Sequence, residues 1–299
     1  MKNRGPRQLS FGWLPLCALL ASSAAAQPTL FYADFRELGR VDSAPVVGPL
    51  TPSVSVDAVP GSGGLARLPD GTLLELRGAI RRVNPDTLEA TEIAPLGFGC
   101  FDATADGDGN LWCVGNSTVQ RYAADSYAFD FATDSPGLDF RGIATLGPRL
   151  FAIANLREDV AAGPHLVEID PVDGGASVLH PIRLPPSPDG LRFFGVSGMD
   201  FDDNGDLWLG LPLFLPAVTL PPPPEGHVVR VLDPLAGAVV QAPQRLGDTL
   251  SPTPVVIGAP TVVAVPAVGI SGLATLVGLL LLSALAMLSR SPDAPSPRP

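Results

Sequence analysis

A short acidic stretch at positions 106–110, Asp-Gly-Asp-Gly-Asn, carries the side chains best suited to hold a cation. Asp106, Asp108 and Asn110 alternate along it, as ligands do at the start of an EF-type calcium loop. Such a loop also needs glycine at its sixth position and glutamate at its twelfth, where this chain has Leu111 and Ser117. We therefore favour a structural hairpin turn, with a calcium site as the alternative.

Two cysteines, Cys100 and Cys113, flank this turn. They are the pair that remains if the N-terminal segment is removed on export, and an even pair in an exported protein favours a disulfide. The expected hairpin register does not place them directly opposite each other, so the spacing alone does not prove the bridge. Neither has a basic neighbour in the sequence that would favour a reactive thiolate.

The other chemistry-bearing residues form no recognised catalytic or metal-binding motif. His165, His180 and His227 lack metal-ligand spacing, and the sequence has no Gly-x-Ser-x-Gly and no phosphate-binding loop. The formal net charge is -11, without a run of Lys or Arg, so nucleic acid is not an expected partner. We expect no cofactor, apart from the calcium alternative.

The first 26 residues have the three parts of a secretory signal peptide. A basic start precedes the apolar run Phe11–Leu20, and small residues follow it. Cleavage between Ala26 and Gln27 is the predicted processing step. The chain is therefore expected to be exported across the inner membrane.

A second apolar run, Ala267–Ser289, lies near the C-terminus and contains no charged residue. As a helix it would extend about 34 Å, which is enough to cross a bilayer. Arg290 follows at once, so residues 290–299 are predicted to be a short cytoplasmic tail. The proline-rich residues 242–266 are predicted to be an extended stalk between the folded domain and the membrane.

Val265, Pro266 and Gly272 lie at the start of this C-terminal region, and Arg290 ends it. The arrangement resembles a bacterial protein-sorting tail of the IPTL-CTERM type, whose start reads roughly Ile-Pro-Thr-Leu-Ser-x-Trp-Gly. The resemblance implies a Gram-negative envelope protein, anchored in the membrane or at the cell surface. It also implies a sorting peptidase as a partner.

Between the two ends, residues 27–241 carry two alternating patterns. The first is an apolar strand, a turn and a second apolar or aromatic strand; it occurs at Gly64–Leu76, Asp102–Val114, Gly142–Ala154 and Gly198–Gly210. The second is an apolar strand that ends in an Asp- or Asn-centred turn; it occurs at Leu30–Val41, Ile80–Ile93, Val119–Phe129, His165–Leu179 and His227–Val240. The spacing is near the roughly 40 residues of a four-stranded propeller blade.

These repeats predict an all-β protein, a β-propeller of about five blades. Together with the apolar run Ala267–Ser289, the expected fold is a propeller with one C-terminal transmembrane helix. Four or six blades are alternatives, and a β-sandwich is the second choice of fold. Trp112 and Trp208 are expected to pack between blades. Strands donated after Val240, for example around Pro254–Gly258, are expected to close the ring.

The repeated Asp-Gly-x-Leu-Trp and Asp-Pro turns resemble propellers of the NHL, gluconolactonase-like and YVTN types. The gluconolactonase-like resemblance implies a divalent ion in the central channel, for which Asn155 and Asp200 are candidates here. Its Glu-Gly-Pro signature is missing from this sequence. We therefore expect a non-catalytic binding or structural module of the cell envelope that recognises a protein or glycan. A metal-dependent hydrolase of the gluconolactonase-like type is the alternative.

Overall fold

The computed structural model describes residues 28–33, 37–42, 49–57, 63–186, 192–193, 195–214, 225–236, 239–246 and 255–258. The predicted cleavage site at Ala26 and Gln27 lies outside this part of the chain. So do the sorting residues Val265, Pro266, Gly272 and Arg290, together with the predicted membrane segment. Within the described part, no helix has the length and apolar character needed to cross a bilayer.

The described strands form five antiparallel sheets. Blade 1 contains β1 (Thr29–Ala33), β2 (Glu37–Val41) and β3 (Val54–Asp57). Blade 2 contains β4 (Gly64–Arg67), β5 (Leu73–Leu76), β6 (Ala79–Val83) and β7 (Ala90–Pro95). Blade 3 contains β8 (Asp102–Ala105), β9 (Leu111–Gly115), β10 (Thr118–Tyr122) and β11 (Phe129–Asp134).

Blade 4 contains β12 (Leu138–Leu146), β13 (Arg149–Leu156), β14 (Pro164–Ile169) and β15 (Ala176–Pro181), with a 3₁₀ turn at Val160–Ala162. Blade 5 has β18 (Leu207–Phe214) and β19 (Glu225–Leu232) at its centre. Four short strands flank them: β16 (Arg192–Phe193), β17 (Gly198–Phe201), β20 (Val239–Val240) and β21 (Gln244–Arg245). The last strand, β22 (Val255–Gly258), returns to blade 1.

The ring closes through β22, which pairs antiparallel with β1 and becomes the innermost strand of blade 1. The innermost strands β4, β8, β12, β17 and β22 then neighbour one another around a central axis. This confirms the five-bladed propeller, and it excludes the β-sandwich and the rings of four or six blades. Like the other inner strands, β22 is antiparallel to the second strand of its blade. Gly258 therefore lies at the end of the ring where the other inner strands also end.

Blade 5 and the segment after it differ from the sequence-based expectation. In blade 5, β18 continues through Leu211 to Phe214, and the Leu211 side chain is fully buried. β21 and β22 both lie inside the segment predicted as a stalk, yet they pair with β19 and β1. The β22 pairing confirms the ring-closing strand expected around Pro254–Gly258. Proline spacing indicated an extended chain, but an extended chain next to an unpaired strand edge can also add to a sheet.

The repeat pattern in blade 1 indicated fewer strands than the structure contains. Leu30–Val41 was described as one apolar strand and a turn, but it contains β1 and β2, the second and third strands. The fourth strand, β3, comes only at Val54–Asp57 and is half exposed. Its polar face does not distinguish it from a loop in the sequence.

Tryptophans hold neighbouring blades together, as predicted. Trp112 in blade 3 is completely buried and packs in one cluster with Phe140 and Ile143 of blade 4. Trp208 in blade 5 packs in another with Leu30 of blade 1, across the point of ring closure. Burying a large aromatic side chain stabilises the fold by roughly 2–3 kcal/mol, so these contacts are a main source of blade-to-blade cohesion.

Candidate functional site

The acidic turn between β8 and β9 is organised around one carboxylate. Asp106 accepts backbone N–H bonds from Asp108 at 3.0 Å and Asn110 at 2.9 Å. It also accepts the Asn110 side-chain amide at 2.9 Å and the Trp112 indole N–H at 3.0 Å. Both carboxylate oxygens are therefore engaged by N–H donors, for which a cation would have to compete.

The other two candidate ligands of this turn point to the same structural role. The Asn110 side-chain oxygen accepts the backbone N–H of Ala124 at 3.2 Å, which ties the inner hairpin to the next turn of the blade. Asp108 is exposed to solvent. Asp106 and Asn110 thus organise the hairpin, whereas the Asp108 side chain faces solvent.

Blade 5 repeats this arrangement. Asp202 accepts the backbone N–H of Asn204 at 2.9 Å, that of Asp206 at 3.1 Å and the Trp208 indole N–H at 3.1 Å. The Arg230 guanidinium lies over the Trp208 ring, at 5.5 Å from its centroid. In blade 3, Arg121 lies at the same 5.5 Å from the centroid of the Trp112 ring. Blades 3 and 5 therefore share an Asp–Trp–Arg unit. The sequence patterns revealed only its Asp and Trp members.

Cys100 and Cys113 form a disulfide, with their Cα atoms 5.7 Å apart. Cys113 lies opposite Ala103 in the β8–β9 pairing, and Cys100 precedes β8. Both cysteines are buried in the cluster that fills the space between blades 2 and 3. The bridge therefore fastens the chain that enters blade 3 to the second strand of that blade.

The central axis opens into a pocket of about 320 Å³ at the end of the ring where the inner strands finish. Four of the five inner strands contribute to its described lining, together with the turn that follows β17. The polar lining residues are Arg67 from β4, Thr104 from β8, Thr145 from β12, Asp200 from β17, and Asp202 and Asp203 from the turn. We call this cavity the axial pocket.

The charges around the axial pocket differ in how far they are already satisfied. Asp202 is engaged by its turn and lies 3.4 Å from the Arg230 guanidinium. The Asp200 carboxylate accepts the backbone N–H of Phe201 at 2.9 Å. Among the described residues, neither Arg67 nor Asp203 has an ion-pair partner within 4.0 Å. The pocket thus presents one positive and one negative charge that are not paired with each other.

Asp102 lies beneath this pocket, two residues before Thr104 on β8. Residues two apart on a strand project from the same face, so Asp102 is about 7 Å deeper along the axis. Its carboxylate Oδ2 accepts the backbone N–H of Ile143 at 3.0 Å and that of Met199 at 2.9 Å. One completely buried side chain from blade 3 therefore joins the inner strands of blades 4 and 5.

The two oxygens of Asp102 have different surroundings. Oδ1 has no hydrogen-bond partner among the described residues, whereas Oδ2 has two. Burial raises the pKa of the Asp102 carboxyl well above its usual value, and the nearby Asp200 carboxylate raises it as well. Hydrogen bonds from the backbone N–H groups of Ile143, Met199 and Ala103 act in the opposite direction but are outweighed. Oδ2 is therefore the oxygen that joins the strands, and burial favours the protonated form of this carboxyl.

The position of Asp102 belongs to glycine in three other repeats, which begin at Gly64, Gly142 and Gly198. A Cβ added to Gly64 would lie 2.4 Å from the backbone nitrogen of Ala103, and one added to Gly142 would lie 3.0 Å from that of Met199. The inner strands therefore come too close here for side chains from every blade. Among the four repeats compared, only the one in blade 3 places a side chain here, that of Asp102, two residues below Thr104 of the pocket lining.

Asn155 does not join Asp200 at the axis. It lies near the end of β13, a second strand, where it is opposite Asp139. β13 begins next to the end of β12 that lines the pocket, so its far end is at the opposite face of the ring. Only the innermost strand of a blade borders the axis. Because β13 is a second strand, Asn155 lies away from the axis, and the repeat pattern alone did not reveal this.

The remaining candidates do not assemble into a metal or catalytic site. His165 and His227 are both buried on third strands, β14 and β19, in agreement with a packing role. No group of three His, Cys, Asp or Glu residues in the described part of the chain is arranged to hold a metal ion. Sequence analysis did not single out Arg67 or Asp102. For Asp102 a signal was available, because it is the one repeat start that is not glycine.

Comparison with known proteins adds no family assignment. No protein-family model and no curated protein matches this sequence. Glutaminyl cyclase from Myxococcus xanthus is similar at 14% identity, with 58% of this chain and 76% of that chain covered and a TM-score of 0.40. A quinoprotein alcohol dehydrogenase-like protein from Bacteroides thetaiotaomicron is similar at 11% identity, with 79% and 68% covered and a TM-score of 0.38.

A protein from Lactobacillus plantarum is similar at 10% identity, with 77% of this chain and 99% of that chain covered and a TM-score of 0.44. At such identities and scores, none of these likenesses carries an argument about activity. The class of the protein is defined by its own architecture, a five-bladed propeller with an axial pocket.

Proposed function

We propose that this protein is an exported propeller, anchored at the membrane or the cell surface, that acts as a non-catalytic binding module of a Gram-negative cell envelope. The sequence supports export through residues 1–26 and anchoring through Ala267–Ser289. The axial pocket provides the binding site. Envelope proteins and glycans, the expected partners, would contact the outer strands of the ring, whereas a pocket of about 320 Å³ admits one small ligand.

The composition of the axial pocket is the observation that carries the proposal. Its described lining contains Arg67, three aspartates and two threonines, but no histidine, cysteine, serine, lysine or tyrosine. Nucleophilic catalysis needs a nucleophile within hydrogen-bond reach of a base. The Thr145 hydroxyl instead donates to the backbone carbonyl of Ala105 at 3.1 Å, which occupies it structurally. The remaining polar groups can recognise a ligand, which supports the binding proposal.

A metal-dependent hydrolase of the gluconolactonase-like type is the alternative function. It would need carboxylates that converge on one ion at the axis. Asp200 and Asp203 both line the axial pocket, but the described residues include no third ligand from another strand. No geometric observation therefore favours this alternative, and it is best treated as an outcome of the test.

The test begins with location. The full chain, tagged at its C-terminus, is expressed in a Gram-negative host and the cells are fractionated. We expect it in the membrane fraction, shortened by the 26-residue signal, with the propeller degraded by protease added to spheroplasts. Deletion of residues 267–289 should release it into the periplasm. Retention of the full chain in the cytosol would contradict the proposal.

Activity is tested on the same purified protein. Lactone and ester substrates are supplied with and without added Ca²⁺ or Zn²⁺. The binding-module proposal expects no metal-dependent turnover above the rate of a variant with Asp200→Asn. Turnover that requires metal and is lost in this variant would instead establish the hydrolase.

A further inference from the structure

We propose that the axial pocket binds small zwitterions, molecules that carry one cationic and one anionic group a few bonds apart, such as amino-carboxylates. This inference rests on the proposed binding function, because it names the ligand class of the same site. It draws on the two unpaired charges of the pocket, Arg67 and Asp203, and on the polar groups that lie around them.

The first step is that these opposite charges face one cavity without meeting. Arg67 ends β4 in blade 2, and Asp203 lies in the turn after β17 in blade 5. Their charged groups are more than 4.0 Å apart, which is the limit for an ion pair. Among the described residues, no other charged side chain forms an ion pair with Arg67 or with Asp203. Arg67 is half-buried, where a charge is less well solvated than at the surface, whereas Asp203 is exposed. A ligand with its own two charges would complete both pairs.

The second step is that single charges fit less well. An anion alone would pair with Arg67 but would be repelled by Asp200 and Asp203. A cation alone would pair with these carboxylates and would be repelled by Arg67. Specificity is a difference of affinities. The carboxylates of the lining outnumber Arg67, so a lone anion is disfavoured more than a lone cation, but only a ligand with both charges meets a partner for each.

The third step concerns size and the neutral wall. In ring order β8 and β12 lie between β4 and β17, and they supply the Thr104 and Thr145 hydroxyls, whose oxygens are 3.5 Å apart. A volume of about 320 Å³ is near the lower end of small-molecule pockets, so one compact ligand fits.

The experiment is calorimetric titration of the purified full chain in detergent with glycine, β-alanine, γ-aminobutyrate and 5-aminovalerate. Butyrate and butylamine serve as the matched single-charge controls. Because Arg67 and Asp203 do not touch, we expect the longer zwitterions to bind more tightly than glycine. Each single-charge control should bind at least tenfold more weakly than γ-aminobutyrate.

Variants identify the site within the same protein. Arg67→Gln and Asp203→Asn should each weaken γ-aminobutyrate binding at least tenfold, because each removes one charge pair. Arg183→Gln and Asp108→Asn are the matched controls, since both residues are exposed and lie outside the pocket lining. The control variants should bind like the parent chain.

Three results would overturn the zwitterion proposal. They are no heat of binding with any of the four zwitterions at millimolar concentration, equal binding of butyrate and γ-aminobutyrate, or unchanged binding in both pocket variants. A cooperative melting transition shows in each case that the protein is folded. Fractionation of the cells is independent of these titrations, so failure of the ligand class and failure of the envelope-module proposal are distinguishable.

Discussion

At the level of single residues, Asp102 departs most clearly from its repeat. A carboxyl stands where three other repeats start with glycine, and it is fully buried among backbone groups of three blades. A buried carboxyl stays neutral when desolvation outweighs the hydrogen bonds to its charged form. The raised pKa of Asp102 therefore predicts a ring that is more stable with this carboxyl protonated than with it ionised.

Replacing Asp102 by asparagine should make the protein less sensitive to pH. The folded pKa of Asp102 lies above its ordinary value of 3.8, so its contribution to stability is complete below that value. The contribution is lost as pH rises toward the folded pKa. Asp102→Asn keeps an acceptor and an N–H donor without ionising. Urea unfolding between pH 4 and 8 should show a flatter profile and a higher free energy of unfolding at the upper end.

The neighbour of Asp102 provides the control. Asp200→Asn removes a carboxylate that raises the pKa of Asp102, so it should reduce the pH dependence only in part. Asp102→Ala should be destabilising at every pH, because the N–H groups of Ile143 and Met199 lose their acceptor. A profile for Asp102→Asn that follows the parent at every pH would show that Asp102 is ionised in the folded protein.

At the level of secondary-structure elements, the inner hairpins of blades 3 and 5 depend on a carboxylate at the start of the turn. Asp106 and Asp202 each accept hydrogen bonds from backbone N–H groups of their own turn. Each also accepts the indole N–H of the tryptophan at the second position of the following strand. The turn geometry and the packing between blades are therefore coupled through one side chain. If the turn held calcium, its stability would depend on the metal as well as on these hydrogen bonds.

Asp106→Ala should cost about 2–3 kcal/mol of folding stability, because it leaves the buried Trp112 indole without its acceptor. Asp108→Ala, in the same turn but exposed, should change stability by no more than about 0.5 kcal/mol. Urea unfolding of both variants, with and without calcium or chelator, measures the difference. Calcium-dependent stability that both substitutions abolish would support the alternative of a metal loop.

These hairpins were predictable from the sequence because their determinants are local. Alternating apolar residues, an Asp-Gly turn and Leu-Trp after it are enough to identify β8–β9 and β17–β18. β3, β16, β20 and β21 were not predictable, since they are short or polar and exist through the partner strands they join. The Arg67 and Asp203 juxtaposition depends on ring closure, which no local pattern encodes.

At the level of the whole molecule, the ring is closed by a strand from the far end of the chain. β22 pairs with β1 through Thr29 to Tyr32, so blade 1 contains strands separated by more than 200 residues of sequence. The disulfide and the tryptophan clusters act within or between adjacent blades. The two ends of the described chain are joined by the β1–β22 pairing, by the Leu50–Leu246 bridge and by the cluster around Trp208.

Truncation after residue 246 should therefore weaken the closure of the ring, which would then depend on the Leu50–Leu246 bridge and the Trp208 cluster. The loss of β22 removes its backbone pairing and inner-strand contacts, about 4 kcal/mol in total, which corresponds to a fall in melting temperature of roughly 10 °C. It also exposes the edge of β1, so concentration-dependent association should increase. Truncation after residue 258 retains β22 and is the matched control in calorimetry and gel filtration. Equal melting temperatures for both would contradict closure by this strand.

The place where β22 ends also determines how an anchored propeller would be oriented. Gly258 lies at the pocket end of the ring, and only the eight residues 259–266 separate it from the predicted membrane segment. Eight residues reach at most about 28 Å when fully extended. On the proposed anchoring, the pocket mouth would open onto a shallow gap above the lipid headgroups. Small solutes could diffuse through that gap from the sides, whereas a large folded partner could reach only the outer strands.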